Sequence, residues 1–260
     1  MLLMFVIFSV AYGLVIGSFL NVIIYRVPRD LSIIRPGSAC PNCSNHIAWY
    51  DNIPVASWLV LRGHCRHCKT PISPQYVIVE LLGGILFGSA AARYGVHWDS
   101  IAFMALFAGL LALSWIDAEH LRLPTKLVYV TTVAVGILFM LASTVDHEWH
   151  RFLIAAICAA AWFVAFFLLN FLAPRYLGFG DVRLSVVLGL SLGWLGVGYV
   201  LVGFFLSNLI GLLISGVLIA MKRLDPKHPV PYGVFLSIGT VFMVIVGPSF
   251  MTYVLSEFHI

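Results

Sequence analysis

Eight apolar runs occupy most of this 260-residue chain, at about 2–24, 76–94, 100–117, 126–145, 152–173, 182–197, 199–221 and 232–255. A helix needs roughly 20 apolar residues to cross the hydrocarbon of a bilayer. Inside that hydrocarbon the backbone can satisfy its hydrogen bonds only as a helix or a closed barrel. Runs of this length without strict alternation predict helices. Hydrophobic residues make up 61% of the chain and charged residues 10%, which excludes a soluble globular domain. The expectation is an all-α polytopic membrane protein with about eight transmembrane helices. Gly196 and Gly198 alone separate the sixth run from the seventh. The first run opens with Met1, Leu2, Leu3 and Met4, carries no basic stretch and reaches Ile24 without a small-residue cleavage site. It is expected to stay as a span rather than be removed as a signal peptide. Its Gly13, Gly17 and Ser18 are expected to let another helix pack closely.

Charge sets the expected orientation. With the N-terminus outside, the inner connections hold Arg26, Arg29, Arg35, Arg62, Arg66, Lys69, Arg122, Lys126, Arg175, Arg183, Lys222, Arg223 and Lys227. Only Arg93 and Arg151 fall outside, a strong inside bias of basic residues. The net charge of +4 therefore reports topology. The basic residues are spread over loop ends and form no clustered face, so no nucleic-acid partner is expected. The partner that composition does imply is the lipid bilayer.

One long polar stretch interrupts the pattern, at about 26–74. The organisation read from this is a first transmembrane helix at 1–25, a cytoplasmic module at 26–74, and a seven-helix membrane domain at 75–260. The module carries Cys40-Pro41-Asn42-Cys43 and Cys65-Arg66-His67-Cys68, with 21 residues between the pairs. Two such knuckles can converge four thiolates on one ion, with backbone N–H groups turned toward the sulfurs. A reducing compartment argues against two disulfides. Four cysteines would close the coordination shell, so a structural zinc ion is the expected ligand. Redox thiols and a fortuitous cluster are the alternatives. His64 and His67 flank the second knuckle, and a solvated or supporting role suits them better than ligation. Cys158 lies inside an apolar run and reads as helix packing.

Two carboxylates stand at the edges of apolar runs. Asp117 closes the third run, and Asp181 follows Gly178-Phe179-Gly180 at the start of the sixth. Each alone has a plain explanation. Asp117 can reach headgroups or an arginine, and Asp181 can cap a helix after a glycine turn. Together they are more informative. With an outside N-terminus both fall at the cytoplasmic boundary. Peptide hydrolysis needs one carboxylate to activate water and a second, protonated one to polarise the carbonyl and protonate the leaving amine. Gly178 and Gly180 would leave room for an extended substrate backbone. Glu80, inside the second span, suits a structural or a functional role equally. Glu119 and His120 read as solvated loop groups. Asp146, His147, Glu148 and His150 read as an external turn, and Asn208 as a polar group bonding across helices or lining a cavity.

At these residues the chain resembles the type IV prepilin peptidases, bifunctional leader peptidases and N-methyltransferases with GxGD aspartic chemistry. The resemblance covers nearly the whole chain. It runs through GSFLNVIIYRVP at 17–28, the tetracysteine loop, DNIPVASWLVLRG at 51–63 and ISPQYVIVELLGG at 72–84. IDAEHLRLP at 116–124, GFGDVRL at 178–184 and PYGVFL at 231–236 follow in the same order. The resemblance implies catalytic roles for Asp117 and Asp181, and zinc at Cys40, Cys43, Cys65 and Cys68. It further implies cleavage of a short basic leader from prepilins or pseudopilins at the cytoplasmic face of the inner membrane. N-methylation of the new terminus by S-adenosylmethionine would follow. Arg183 departs from an expected lysine, Thr125 from an expected acidic or amide residue, and Tyr232 and Val234 from the usual PFGPFL block. A proton- or cation-coupled transporter is the alternative from another class, although it leaves the cysteine module unexplained. A presenilin-like protease and a non-catalytic assembly protein are further readings.

Overall fold

In the computed structural model, residues 1–174, 177–223, 225 and 230–251 are described. Arg175 and Lys227 of the inner basic set, and 252–255 of the last expected span, lie outside the described residues. The chain forms two compact units, Met1–Val96 and His97–Ile260.

The first unit holds α1 (Leu2–Arg26), the short α2 (Ala56–Val60) and α3 (Gln75–Tyr94). α1 and α3 run antiparallel in very close contact. A Cβ added at Gly13 would lie 2.4 Å from Gly83 O, and one at Gly17 would lie 2.6 Å from Glu80 Cα. Lipid tails give apolar helices little hydrophobic reason to associate, so close backbone approach supplies the contact energy. The loop between α1 and α2 holds the first cysteine knuckle, and the second knuckle follows α2. Among the described residues the only extended pairing consists of two isolated bridges, Ala39 with His46 and His64 with Pro71.

The second unit is a bundle of α4 (Trp98–His120), α5 (Thr125–Asp146), α6 (Trp149–Leu172), α7 (Phe179–Leu195), α8 (Val197–Ala220) and α9 (Tyr232–Ile245). α7 is buried on every side, from Asp181 through Val182, Leu184, Ser185 and Val187 to Trp194. A helix apolar all round belongs at the centre. α5, α6, α8 and α9 pack around it. Gly196 breaks α7 from α8 at φ 133°, a value that L side chains rarely adopt. Gly198 lies within α8 and takes no part in that break.

Over their described residues, all eight expected apolar segments form helices. Among the described residues, six of these helices are long and apolar enough to cross a membrane. α7 has 17 residues and α9 has 14, so these two are shorter. The third segment continues past its expected end: Asp117 sits one turn inside α4, which runs on to His120. Glu119 and His120 are therefore helical rather than loop residues. Glu119 accepts a hydrogen bond from Trp115 Nε1 at 2.8 Å, an i,i+4 pair that favours continued helix. Leu121, at φ 51°, then ends α4 by donating its N–H to Asp117 O at 2.8 Å.

Candidate active site and metal centre

The metal centre is assembled locally. In each knuckle the first cysteine's N–H donates across the turn, Cys40 to Asn45 O at 3.0 Å and Cys65 to Thr70 O at 2.9 Å. In each, the residue after the second cysteine adopts a left-handed conformation, Ser44 at φ 58° and Lys69 at φ 58°. Its N–H donates to the first cysteine's carbonyl, at 2.9 Å for Ser44 and 3.1 Å for Lys69. The two knuckles are copies of one turn. They bring Cys40, Cys43, Cys65 and Cys68 together with all four sulfurs within 4.8 Å of one another. Neither His64 nor His67 joins that group. His64 Nδ1 instead contacts Arg62 O at 2.6 Å.

The electrostatics of the thiols suit a cation. The Thr70 hydroxyl and N–H beside Cys68 hold that thiol down to about 5. N–H groups of Cys43 and Asn42 lower Cys40. The Asn45 N–H favours the Cys43 thiolate too, yet burial and the neighbouring thiols outweigh it and push Cys43 up to about 11. Four thiolates cannot share this space without a positive ion to offset their repulsion. Asp51, in the segment between the knuckles, fixes the second one. Arg66 donates to it twice, at 2.7 and 2.6 Å, and holds its carboxyl below the usual range.

Glu80 is also engaged in the first unit. Its Oε2 accepts from Val55 N–H at 2.7 Å. Val55 stands at φ 61°, an uncommon conformation for a β-branched residue. Glu80 thus holds the turn that leads into α2.

The aspartate site lies wholly within the second unit and is assembled from distant segments. Asp117 comes from the last full turn of α4 and Asp181 from the first turn of α7. Both side chains are buried. Leu123 packs both on Gly180, the neighbour of Asp181, and on Gly233, which lies against the Asp117 carboxyl, so the two aspartates share one surrounding. Among the described residues neither forms an ion pair with a lysine or arginine. The plain explanation of Asp117 as a partner for a nearby arginine therefore finds no support.

The start of α9 completes the site. N–H groups of Gly233 and Val234 lie beside the Asp117 carboxyl. These are N–H groups of the helix's first turn, which favour a carboxylate, and that of Val234 also donates to Pro231 O at 3.2 Å. Asp117 Oδ2 is buried and has no hydrogen-bond partner. A Cβ at Gly233 would lie 2.9 Å from that oxygen, so only glycine leaves it clear. Sequence reasoning singled out PYGVFL as a block but gave Gly233 and Val234 no role. Their contribution is backbone, and the signal available was Pro231, which opens the helix.

Gly178 and Gly180 serve differently. Gly178 has an ordinary φ of −72°, precedes α7, and accepts from Asp181 N–H at 3.1 Å. A Cβ there would stand 3.3 Å from Asp181 Oδ2. Gly180 is already helical, and a Cβ on it would lie 3.0 Å from Leu123 Cβ. Both glycines thus permit close approach, one by the carboxylate and one by the α4–α5 connection. Asn208 bonds across helices as expected. It accepts from the Tyr232 hydroxyl at 3.2 Å and donates to Phe204 O in its own helix. At the opposite end of this unit Arg151 donates to Glu148, pairs with Asp99 at 3.5 Å and lies over the Trp194 ring.

Known proteins resemble the chain along most of its length. Residues 11–94 match the bacterial peptidase A24 N-terminal domain, and residues 104–256 match the type IV leader peptidase family. A "prepilin leader peptidase/N-methyltransferase" of Myxococcus xanthus is 37% identical over 230 residues, which cover 86% of this chain and 66% of that protein. The protein so named from Stutzerimonas stutzeri is 33% identical, covering 91% of this chain and 89% of its own length. That of Pseudomonas aeruginosa is 30% identical over the same shares. No solved structure matches.

Proposed function

Because the chain belongs to the type IV leader peptidase family, we propose that it is a membrane-embedded aspartic endopeptidase that removes the leader of prepilins or pseudopilins. The transporter alternative has no support among its relatives. The observation that carries the catalytic assignment is the approach of two buried carboxyls, Asp117 and Asp181, neither of them ion-paired with a lysine or arginine among the described residues.

The chemistry follows from that pair. One carboxylate takes a proton from water as the oxygen attacks the scissile carbonyl carbon. The other, protonated, donates a hydrogen bond to the carbonyl oxygen and stabilises the tetrahedral intermediate. The proton gained by the first carboxylate passes to the leaving amide nitrogen, and the C–N bond breaks. The N–H groups of Gly233 and Val234 hold the Asp117 carboxyl in place while protons move. Substrate arrives as an extended segment alongside Gly178, where no side chain stands before Asp181 Oδ2, while Gly180 gives its space to Leu123.

Cys40, Cys43, Cys65 and Cys68 bind a structural zinc ion in this reading. A tetrahedral shell with Zn–S near 2.3 Å places sulfurs about 3.8 Å apart. Cys40 Sγ and Cys68 Sγ are 3.8 Å apart. The relatives are named N-methyltransferases as well as peptidases, and in this reading a methyl group is transferred to the new N-terminus. S-adenosylmethionine would supply the electrophilic methyl group.

The protein is a multi-pass inner-membrane protein, with its N-terminus outside and its cysteine module and aspartates at the cytoplasmic face. The inside bias of basic residues supports that orientation. Single cysteines at Arg122 and Ile34 should react with an impermeant reagent only from the cytoplasmic side. Labelling from outside intact cells would invert the topology. Co-expression with a prepilin tests the activity: mass spectrometry should find a shortened product with a methylated N-terminus. An intact leader in every condition would contradict the peptidase reading.

A further inference from the structure

The aspartates come from helices that are not consecutive, so something must fix their separation. The connection from α4 to α5 lies where it can do so. It begins four residues after Asp117 and touches the first turn of α7 twice. Leu123 packs on Gly180, the residue before Asp181, so closely that a Cβ there would lie 3.0 Å from Leu123 Cβ. Thr125, the first residue of α5, accepts a hydrogen bond through Oγ1 from Arg183 Nη1 at 2.5 Å. Arg183 stands two residues after Asp181.

The setting of Arg183 is unusual for a cation at the edge of an apolar helix. Its guanidinium lies 4.6 Å from the Phe179 ring centroid, and its Nε is buried with no hydrogen-bond partner. No ion pair with a carboxylate accompanies it among the described residues. A long basic side chain at a membrane edge ordinarily extends its head to water. This one is turned inward, stacked on its own helix's first residue and directed at a single hydroxyl. Holding a guanidinium there costs solvation, which the Thr125 bond and the aromatic face only partly offset. The planar, rigid fork of arginine suits a contact whose use is geometric.

We propose that Arg183 and Thr125 are positioning residues, a clamp that registers the first turn of α7 against the segment following Asp117 and so sets the separation of the two carboxyls. The clamp rests on the peptidase reading of the site. It acts through backbone placement and touches neither substrate nor water. Removing it lets α7 shift by a fraction of an ångström relative to α4, which impairs the proton transfers while leaving the substrate-binding surface intact. Misplacement of about 1 Å at a reacting centre can cost 10²-fold.

The test is steady-state cleavage of a prepilin by purified full-length enzyme. Thr125→Val removes the acceptor at nearly constant volume, and should lower kcat about tenfold to a hundredfold with KM unchanged. Thr125→Ser, which restores a hydroxyl, should recover most of that loss. Arg183→Ala should behave like Thr125→Val, and the double variant should be no slower than the slower single, since both break one contact. A purely structural role would instead lower folded yield and leave kcat per folded molecule unchanged. Should Arg183→Ala fail to fold, the valine and serine variants decide the matter. Wild-type enzyme that cleaves, beside a Thr125→Val variant that cleaves equally fast, overturns the clamp alone. So do losses that multiply in the double variant. Wild-type enzyme that leaves the prepilin intact overturns the peptidase reading, and the clamp with it.

Discussion

The two sites of this molecule are built in opposite ways. The metal centre draws its four ligands from two copies of a short turn, each closed by its own backbone hydrogen bonds. Its geometry is written within a few residues of each cysteine. The aspartate site draws Asp117 from α4, Leu123 from the following turn, Asp181 from α7 and two N–H groups from α9. Nothing local fixes it. A locally built site should lose its metal and its fold together when one ligand goes. A site assembled by packed helices should lose chemistry while its scaffold persists. That contrast can be broken or sharpened by substitutions on each side.

The largest effect is expected at the knuckles. Cys68→Ser removes the thiol most inclined to ionise, and metal content should fall from one zinc per chain to near none, with folded yield falling alongside. Full zinc occupancy with three cysteines would show that the centre is less local than described. Gly233→Ala comes next. Its methyl group would crowd Asp117 Oδ2, and cleavage should slow about tenfold while helix content and zinc remain. Unchanged cleavage would mean that the start of α9 does not position Asp117.

Asp51→Asn should have the smallest effect. Arg66 is half exposed, so the pair is well screened. Arg66 depresses the folded-state pKa of Asp51, so its contribution is present above the unfolded value of about 3.9 and fades as pH falls through the folded value. The melting temperature of Asp51→Asn should lie slightly below wild type at neutral pH. The two should converge in acid. A gap that widens on acidification would assign the Asp51 contact the wrong sign.

The same contrast explains what the sequence made legible. The CxxC pairs announce their chemistry because ligand type and spacing are both local. The aspartates could be paired only by counting spans and applying the charge rule, which placed both at one boundary. The glycine break between α7 and α8 was visible, although the decisive residue is Gly196 alone. The end of α4 was not. Glu119 and His120 look polar enough for a loop, yet Ala118 and Glu119 favour helix, and the Trp115–Glu119 bond carries it on to His120. The role of Gly233 was hidden because it offers an absent side chain and a backbone N–H. Arg183 and Thr125 each stood out as departures from the family pattern. Only the packed bundle shows that they bond to each other.

The central claim is that Asp117 and Asp181 act together on one peptide bond. Single-turnover cleavage of a prepilin by Asp117→Asn and by Asp181→Asn tests it most directly, with zinc content and helicity as controls for folding. Each substitution keeps the side chain's shape and removes a required proton-transfer partner. Each should slow cleavage by at least about 10²-fold, with metal and helix content unchanged. Near wild-type cleavage by either variant would contradict the account.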